Sequence, residues 1–538
     1  MRQLSGLDST FLQLERGNTM LHGASLAIYD PSTAPGGFVR FKDILRFFTS
    51  RIRQFPQFRR RLVTVPFGLD RPYWVEEPDI DVEFHVRHIA LPKPGDWRQL
   101  CIQVARLHSR RLDFSKPPWE VYVIEGLDRV EGLPKGSFAL YSKMHHALVD
   151  GELGTAILKA LHSLTPTSSG DAPVPEVRAV ADRDPTQLEL YSRALLHGIE
   201  NVPALARVAA RLVGRLGTLG SRSLMEAREK HGDNLHALRA LMAADRGTLL
   251  PTFPATRFGA DISVHRVFEA VGLPLADFKL IRRHVPEATI NDQFMALVGG
   301  ALREYQQSKG ELPEESMLAA VPVTLRGANK SEEGNQITFT FMSVHTDIED
   351  PLERLRTIHA ESTRTKQTMD VLGKGFTSEL LDALPHLLMD TIARYAKLPG
   401  PGLVVSNVRG PDVPLYMAGA RLHSYAPVSM VLNGTGLNIT GYSYAGNMWI
   451  CAISCRAMLP DPAYLAECLR HSFAALKEAA QRVPLKHTGT AREPARLSGP
   501  RTAKRKPARA GSRTARKKPA RRTDRVAGDG AVRGQRSH

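Results

Sequence analysis

The strongest constraint on what this chain can fold into lies at its C-terminus. The 53 residues from Lys486 to His538 hold 17 Lys and Arg against 3 Asp and Glu. After Pro484 there is no Phe, Tyr, Trp or Ile, and Lys/Arg-Pro-Ala runs recur as "KRKPARA" and "RKKPARR". Such a segment cannot bury enough apolar surface to offset the entropy of ordering, so residues 484–538 are expected to form a disordered basic tail. The stretch from Lys486 carries net +14 of the chain's formal +17, which leaves about +3 on the other 485 residues. The body is therefore nearly neutral. At 538 residues the chain is long enough for two core-bearing domains.

Cys101, Cys451, Cys455 and Cys468 show neither Cys-x-x-Cys spacing nor the density of a disulfide scaffold, which points to a reducing compartment. The N-terminus "MRQLSGLDSTFLQLERG" has no basic region followed by an apolar one, so a cytosolic protein is expected. Ser424 to Cys455 contains no charged residue, yet Asn433, Gly434, Gly436, Asn438, Thr440, Gly441 and Asn447 interrupt it. A membrane span needs about 20 consecutive apolar residues, so this stretch reads as buried strands with Asn-Gly marking a turn.

Helical and strand patterns alternate over residues 1–165. An amphipathic helix is expected around 41–55, and strands in "YVIEGL" and "SFALYSKMHHA". "TPTSSGDAPVPEV" from Thr165 to Val177 has linker composition. Leu188 to Asp245 is helical in pattern. Within 203–222, Arg207, Arg211 and Arg215 recur every four residues, while Leu205, Val208, Leu212, Leu216 and Leu219 form another face. That helix suits either an anionic membrane or droplet surface or packing on its own protein with a solvated arginine stripe. The expected organisation is a first α/β domain at 1–165, a linker and helical crossover at 166–250, a second α/β domain at 251–483, and the tail at 484–538.

The chemistry concentrates in "SKMHHALVDGELG", residues 142–154. It reads as a strand entering a loop, with Asp150 near the start of the next helix, where a carboxylate is favoured. Adjacent residues on extended backbone point to opposite sides, so one of His145 and His146 faces the chemistry and the other supports it. A helical His-x-x-x-His pair would put two imidazoles on one face, but this adjacent pair does not, and no Cys or Glu completes a metal set. No metal is expected. A pair of satisfied structural histidines is a second reading. In the third, one imidazole is a general base, since its free pKa of about 6.5 suits proton transfer near neutral pH. No Gly-x-Ser-x-Gly elbow exists in the chain. A histidine base without a protein nucleophile implies direct attack by a bound acceptor.

The segment resembles the His-His-x-x-x-Asp-Gly motif of CoA-dependent acyltransferases, which include chloramphenicol acetyltransferase and the condensation domains of peptide synthetases. "LSGLDSTFLQLERGNTMLHGASLAIYDP", "RRRLVTVPFGLDRPYWVEEPDIDVEFHVRHIALPKPGDWRQL", "KPPWEVYVIEGL", "PLADFKLIRRHVPEATINDQFMALVGGALR", "VPVTLR", "SNVRGPDVPLYMAGA" and "GTGLNITGYSYAG" narrow it. Together these resemble the bacterial wax ester synthase/diacylglycerol acyltransferase family from about residue 1 to 480. The resemblance implies an α/β fold of two chloramphenicol-acetyltransferase-like domains with an interdomain tunnel. It implies acyl transfer from acyl-CoA, as a substrate and without a cofactor, to diacylglycerol, a long-chain alcohol or both. His146 would be the general base, with no covalent acyl-enzyme, and His145 its support. Asp150 would make a structural ion pair with an arginine, Arg326 of "VPVTLR" being a candidate, and Gly151 would let the backbone pass closely as the helix begins. Asn291 and Asp292 match a family Asn-Asp pair near the tunnel, or are a plain helix N-cap. Ser406 and Asn407 of "SNVRGP" border the tunnel in the superfamily, or end a strand at a turn. Arg409, Pro118 and Gly259 depart from the usual proline, leucine and asparagine, which bears on substrate shape.

The tail lies outside the resemblance. Its cationic side chains would bind nucleic acid by counterion release, dock on anionic lipid at up to about 1 kcal/mol per residue, or simply aid solubility. Without aromatic residues to stack on bases, no specific nucleic-acid recognition is expected. A cytoplasmic enzyme peripherally associated with the inner membrane face or lipid droplets, through the tail and the 203–222 helix, is the expected setting. Two rivals are an acyltransferase for another hydroxyl or amine acceptor, and a nucleic-acid-binding protein with an inactive acyltransferase-like body.

Overall fold

The computed structural model describes residues 1–52, 54–77, 80–149, 151–166, 182–198, 253–324, 337–372, 386–395 and 400–484. Asp150, Arg326, the 203–222 helix, most of the 166–250 crossover and the basic tail lie outside the described residues.

In chain order the first half runs β1 (Arg2–Gln3), α1 (Gly6–Leu14), β2 (His22–Asp30), α2 (Phe41–Ile52), β3 (Arg60–Val63), β4 (Tyr73–Glu76), α3 (Val82–His85), β5 (Val86–Ala90), α4 (Trp97–His108), β6 (Trp119–Glu125), β7 (Phe138–His145) and α5 (Gly151–Ala160). The second runs β8 (Arg266–Pro274), α6 (Leu275–His284), α7 (Ile290–Ser308), β9 (Leu318–Thr324), β10 (Ile337–Ser343), α8 (Pro351–Leu372), α9 (His386–Tyr395), β11 (Leu403–Arg409), β12 (Tyr416–Met417), β13 (Ala420–Val428), β14 (Leu437–Tyr444), β15 (Asn447–Cys455) and α10 (Pro462–Gln481).

The expected amphipathic helix forms as α2, which buries Ile44, Phe47, Phe48 and Ile52 at helical spacing. The charge-free stretch holds the end of β13 and then β14 and β15, an antiparallel pair. Every residue of β14 is buried: the strand is central, between β11 and β15, and it feeds two apolar clusters, Leu437 and Ile439 entering one and Tyr442 and Tyr444 the other. That double burial is why the segment carries no charge. Asn433-Gly434 does lie in a turn, with the Leu432 and Thr435 backbones bonded across it and Gly434 at φ 76°. Ala445-Gly446, both at positive φ, connects the two strands.

Two six-stranded sheets dominate: β12-β13-β2-β7-β6-β5, and β10-β9-β11-β14-β15-β8. A small third sheet joins β1, β4 and β3. Residues 416–428, expected within the 251–483 domain, instead extend the first sheet: β13 runs antiparallel to β2, with Pro427 opposite Ser25 and Val428 opposite Ala24. Without β13, this edge of β2 would expose a row of unpaired backbone groups. Strand periodicity reports that a segment is extended, not which edge it joins. The core is likewise shared, since one apolar cluster unites Leu100, Val104 and Tyr141 with Phe268, Val271 and Ile453. Trp97 Nε1 on α4 also donates to Glu269 on β8 at 2.5 Å. Among the described residues, no helix is long and apolar enough to cross a membrane.

Candidate active site

The motif leaves the first sheet at the end of β7. The His145 N–H donates to Pro118 O at 3.0 Å and the His146 N–H to Leu21 O at 2.9 Å, which ties the turn to β6 and β2. The two imidazoles then diverge, as strand geometry requires.

His145 is fully buried and lies away from the cavity described below. Its Nδ1 accepts the Ala147 N–H at 3.1 Å, so the ring proton resides on Nε2, which donates to Glu15 Oε2 at 3.1 Å. Contacts at both nitrogens thereby hold the ring in one orientation. Glu15 Oε2 also accepts the Leu21 N–H at 2.9 Å. Burial pushes the Glu15 carboxyl upward, but the hydrogen bond from His145, the Leu21 N–H and Arg111 outweigh it and hold the group below its ordinary value. Glu15 lies at the C-terminal cap of α1, 130 residues before the motif, and nothing in local spacing singles it out.

His146 lines a cavity of about 1380 Å³. Phe11 of α1 stacks with its ring at a centroid distance of 5.5 Å. Burial lowers its pKa to about 4, and His145 adds to the depression only to the extent that it is protonated. At neutral pH His146 is therefore an uncharged base. Other buried polar groups that sequence reasoning missed lie in the surrounding structure. His22 Nε2 donates to His108 O at 3.1 Å, His108 Nδ1 meets Tyr141 OH at 2.8 Å, and burial followed by Arg266 and Lys143 pushes His108 down to about 3. Lys143, two residues before His145, pairs with Glu120 at 3.0 Å and donates to Arg110 O at 2.9 Å.

The far wall comes from the second sheet. Ser406 and Asn407 both line the cavity, and β11 places Ser406 beside Thr440 of β14. Thr440 Oγ1 donates to Asn438 Oδ1 at 2.7 Å, and Asn438 Nδ2 to Ser429 Oγ at 3.1 Å, which makes a polar patch there. Asn291 and Asp292 are not among the lining residues. The N-cap of α7 is Thr289, with Asp292 completing a capping box. Asp292 is buried and accepts from His359 at 3.0 Å and Ser362 at 2.9 Å, so it fastens α7 to α8. Burial raises the Asp292 carboxyl, yet these bonds together with Thr289 hold it below its ordinary value. Gly151 is the first residue of α5.

This arrangement coincides with a family match. The model of the wax ester synthase/diacylglycerol acyltransferase catalytic domain matches residues 4–294, more than half of the chain, and that of the WS/DGAT C-terminal domain matches 333–477. The chain belongs to this family. A Mycobacterium tuberculosis relative named "Probable diacyglycerol O-acyltransferase tgs2" is 31% identical over 484 residues, covering 88% of this chain and 98% of the relative. Another from the same species, provisionally named a diacyglycerol O-acyltransferase, is 32% identical over 476 residues, with 86% and 87% covered. The structure of the wax ester synthase/diacylglycerol acyltransferase from Marinobacter aquaeolei VT8 superposes at a TM-score of 0.59 and 26% identity, over 89% of this chain and all of that one. The first condensation domain of the calcium-dependent antibiotic synthetase, at 16% identity and a TM-score of 0.53 over 90% and 97%, shares the fold. The α/β fold of two chloramphenicol-acetyltransferase-like, sheet-rich halves is thus established, and this WS/DGAT family member is an acyltransferase.

Proposed function

We propose that this acyltransferase moves a fatty acyl group from acyl-CoA to the hydroxyl of diacylglycerol, giving triacylglycerol, with long-chain alcohols as companion acceptors that give wax esters. The observation carrying the reading is a neutral histidine in the wall of a cavity larger than the ~300–1,000 Å³ of ordinary ligand pockets. Such a volume suits two long acyl chains at once.

His146 takes the acceptor's hydroxyl proton as the oxygen attacks the thioester carbonyl. A C–O bond forms, the tetrahedral oxyanion collapses, and the C–S bond breaks. The proton held on His146 passes to the departing sulfur, which leaves as the CoA thiol. Orientation of both substrates in one cavity is worth roughly 7–11 kcal/mol, and a positioned base about 100- to 10,000-fold in rate. Cysteine chemistry is disfavoured: none of the four cysteines lines the cavity, burial raises the Cys101 and Cys451 thiols well above their ordinary value, and Cys468 is pushed up to about 12. The insolubility of acceptor and product supports peripheral docking on membrane or droplet, with the basic tail as the electrostatic contact.

The test is release of free CoA from palmitoyl-CoA by the purified full chain, with diacylglycerol and hexadecanol offered in parallel and His146→Ala as control. Acceptor-dependent release that the substitution abolishes is expected. Equal release without acceptor, or with His146→Ala, would overturn the reading.

A further inference from the structure

Gly23 of β2 lies directly against the histidine that faces the cavity. The β2/β7 register sets it opposite Met144, two residues before His146. A Cβ built on Gly23 would stand 3.1 Å from His146 Nε2, nearer than to Cε1 at 3.5 Å or Cδ2 at 3.7 Å. The missing side chain therefore leaves space on the Nε2 side of the ring. A methyl there would crowd a hydroxyl oxygen seated at the roughly 2.7–3.2 Å at which it hydrogen-bonds to that nitrogen. Glycine within a strand sacrifices stability and commonly marks a close approach by a ligand or another part of the chain. Ser25 and Ala27 continue the cavity wall along β2 at alternate positions, so two small groups follow Gly23 before the wall reaches Tyr29.

We propose that Gly23 determines acceptor specificity. The absence of a Cβ there lets a carbinol whose neighbouring carbon is branched, as in the glycerol backbone of a diacylglycerol, approach the ring closely. A side chain at 23 would crowd that branch while still passing the unbranched carbinol of a straight-chain alcohol. The inference rests on His146 acting on the acceptor hydroxyl, as proposed above, and it names the structural element that favours glyceride over fatty alcohol.

The experiment compares wild type, Gly23→Ala and Gly23→Val, as full chains, for palmitoyl transfer to 1,2-diacylglycerol and to hexadecanol, with palmitoyl-CoA affinity measured alongside. The diacylglycerol-to-hexadecanol ratio of kcat/KM is expected to fall about tenfold in Gly23→Ala and further in Gly23→Val, the range that one added methyl commands in a fitted pocket. An unchanged ratio, or equal loss with both acceptors because the new group displaces His146, would overturn the inference. Should the valine variant lose palmitoyl-CoA binding through misfolding, the alanine variant decides, since His146 need move only a few tenths of an ångström to accept it. His146→Ala, run in parallel, separates the two failures. Transfer that survives it removes the base and this inference together. Transfer that it abolishes, with the ratio unmoved by substitution at 23, removes the specificity role alone.

Discussion

Glu15 Oε2 receives the His145 Nε2–H at 3.1 Å and the Leu21 N–H at 2.9 Å, so one buried carboxylate joins the end of α1 to the start of β2 and the end of β7. Glu15→Ala strands both donors, at about 1–3 kcal/mol each. Thermal unfolding should shift down, and acyl transfer should fall because the turn bearing His146 loses its anchor. Glu15→Gln, which keeps an acceptor oxygen, should lose less of both. The Glu15 carboxyl is depressed in the folded protein, so its stabilisation is present above the unfolded value near 4.5 and disappears as pH drops through the lowered folded value. Denaturant titrations along an acid series would detect this loss in wild type and not in Glu15→Gln.

His146 titrates near pH 4 in the folded protein rather than at 6.5. The acid limb of kcat/KM, which reports the free enzyme, should therefore lie near pH 4, and transfer should remain flat through pH 6.5. Stability follows the same sign. Between pH 6.5 and 4 the unfolded chain binds the proton more readily than the folded one, so lowering pH across that window weakens the fold. An acid limb at 6.5 in a pH–rate profile would contradict the depressed value. His146→Ala should reduce transfer about 100- to 10,000-fold at neutral pH.

Lys143 has no solvent exposure and pairs with Glu120, which is itself 11% exposed and also meets Arg87 at 3.3 Å. Burial depresses the Lys143 ammonium, and Glu120 partly restores it. Breaking such a pair from one side costs about 3–5 kcal/mol, whereas replacing both partners is often near neutral. Lys143→Met should thus destabilise strongly, and Lys143→Met/Glu120→Gln should recover most of the loss in a denaturant midpoint. A double variant as unstable as the single one would mean that the carbonyls of Leu107 and Arg110, not Glu120, are what Lys143 satisfies.

Removal of residues 486–538 should leave turnover of detergent-dispersed substrate intact and weaken sedimentation with anionic vesicles, most visibly at low salt, because 17 cationic side chains are lost. Unchanged vesicle binding at low salt would sink the docking role of the tail.

Much of the site was written locally. Two adjacent histidines at the end of an alternating strand must point apart, and the structure sends His145 to Glu15 and His146 to the cavity. The amphipathic spacing of α2 and the charge-free run of β14 and β15 likewise follow from burial patterns that any short window reveals. Asn291-Asp292 shows the limit of such reading. The helix start was legible, but Thr289 supplies the cap, and the bonds from Asp292 to His359 and Ser362 come from a helix some 70 residues on.

By itself, the sequence determined the acyltransferase motif, the alternation that divides its two imidazoles, the segments that become helix or strand, and the tail that cannot build a core. Only the tertiary structure decided that β13 closes the edge of β2, that Glu15 holds His145, that Ser406 and Asn407 line the same cavity as His146, and that Gly23 leaves space on its Nε2 side. The physical reason is range. Periodicity and capping act over a few residues, whereas sheet order and cavity shape depend on which distant surfaces pack together, and no local pattern encodes that partner.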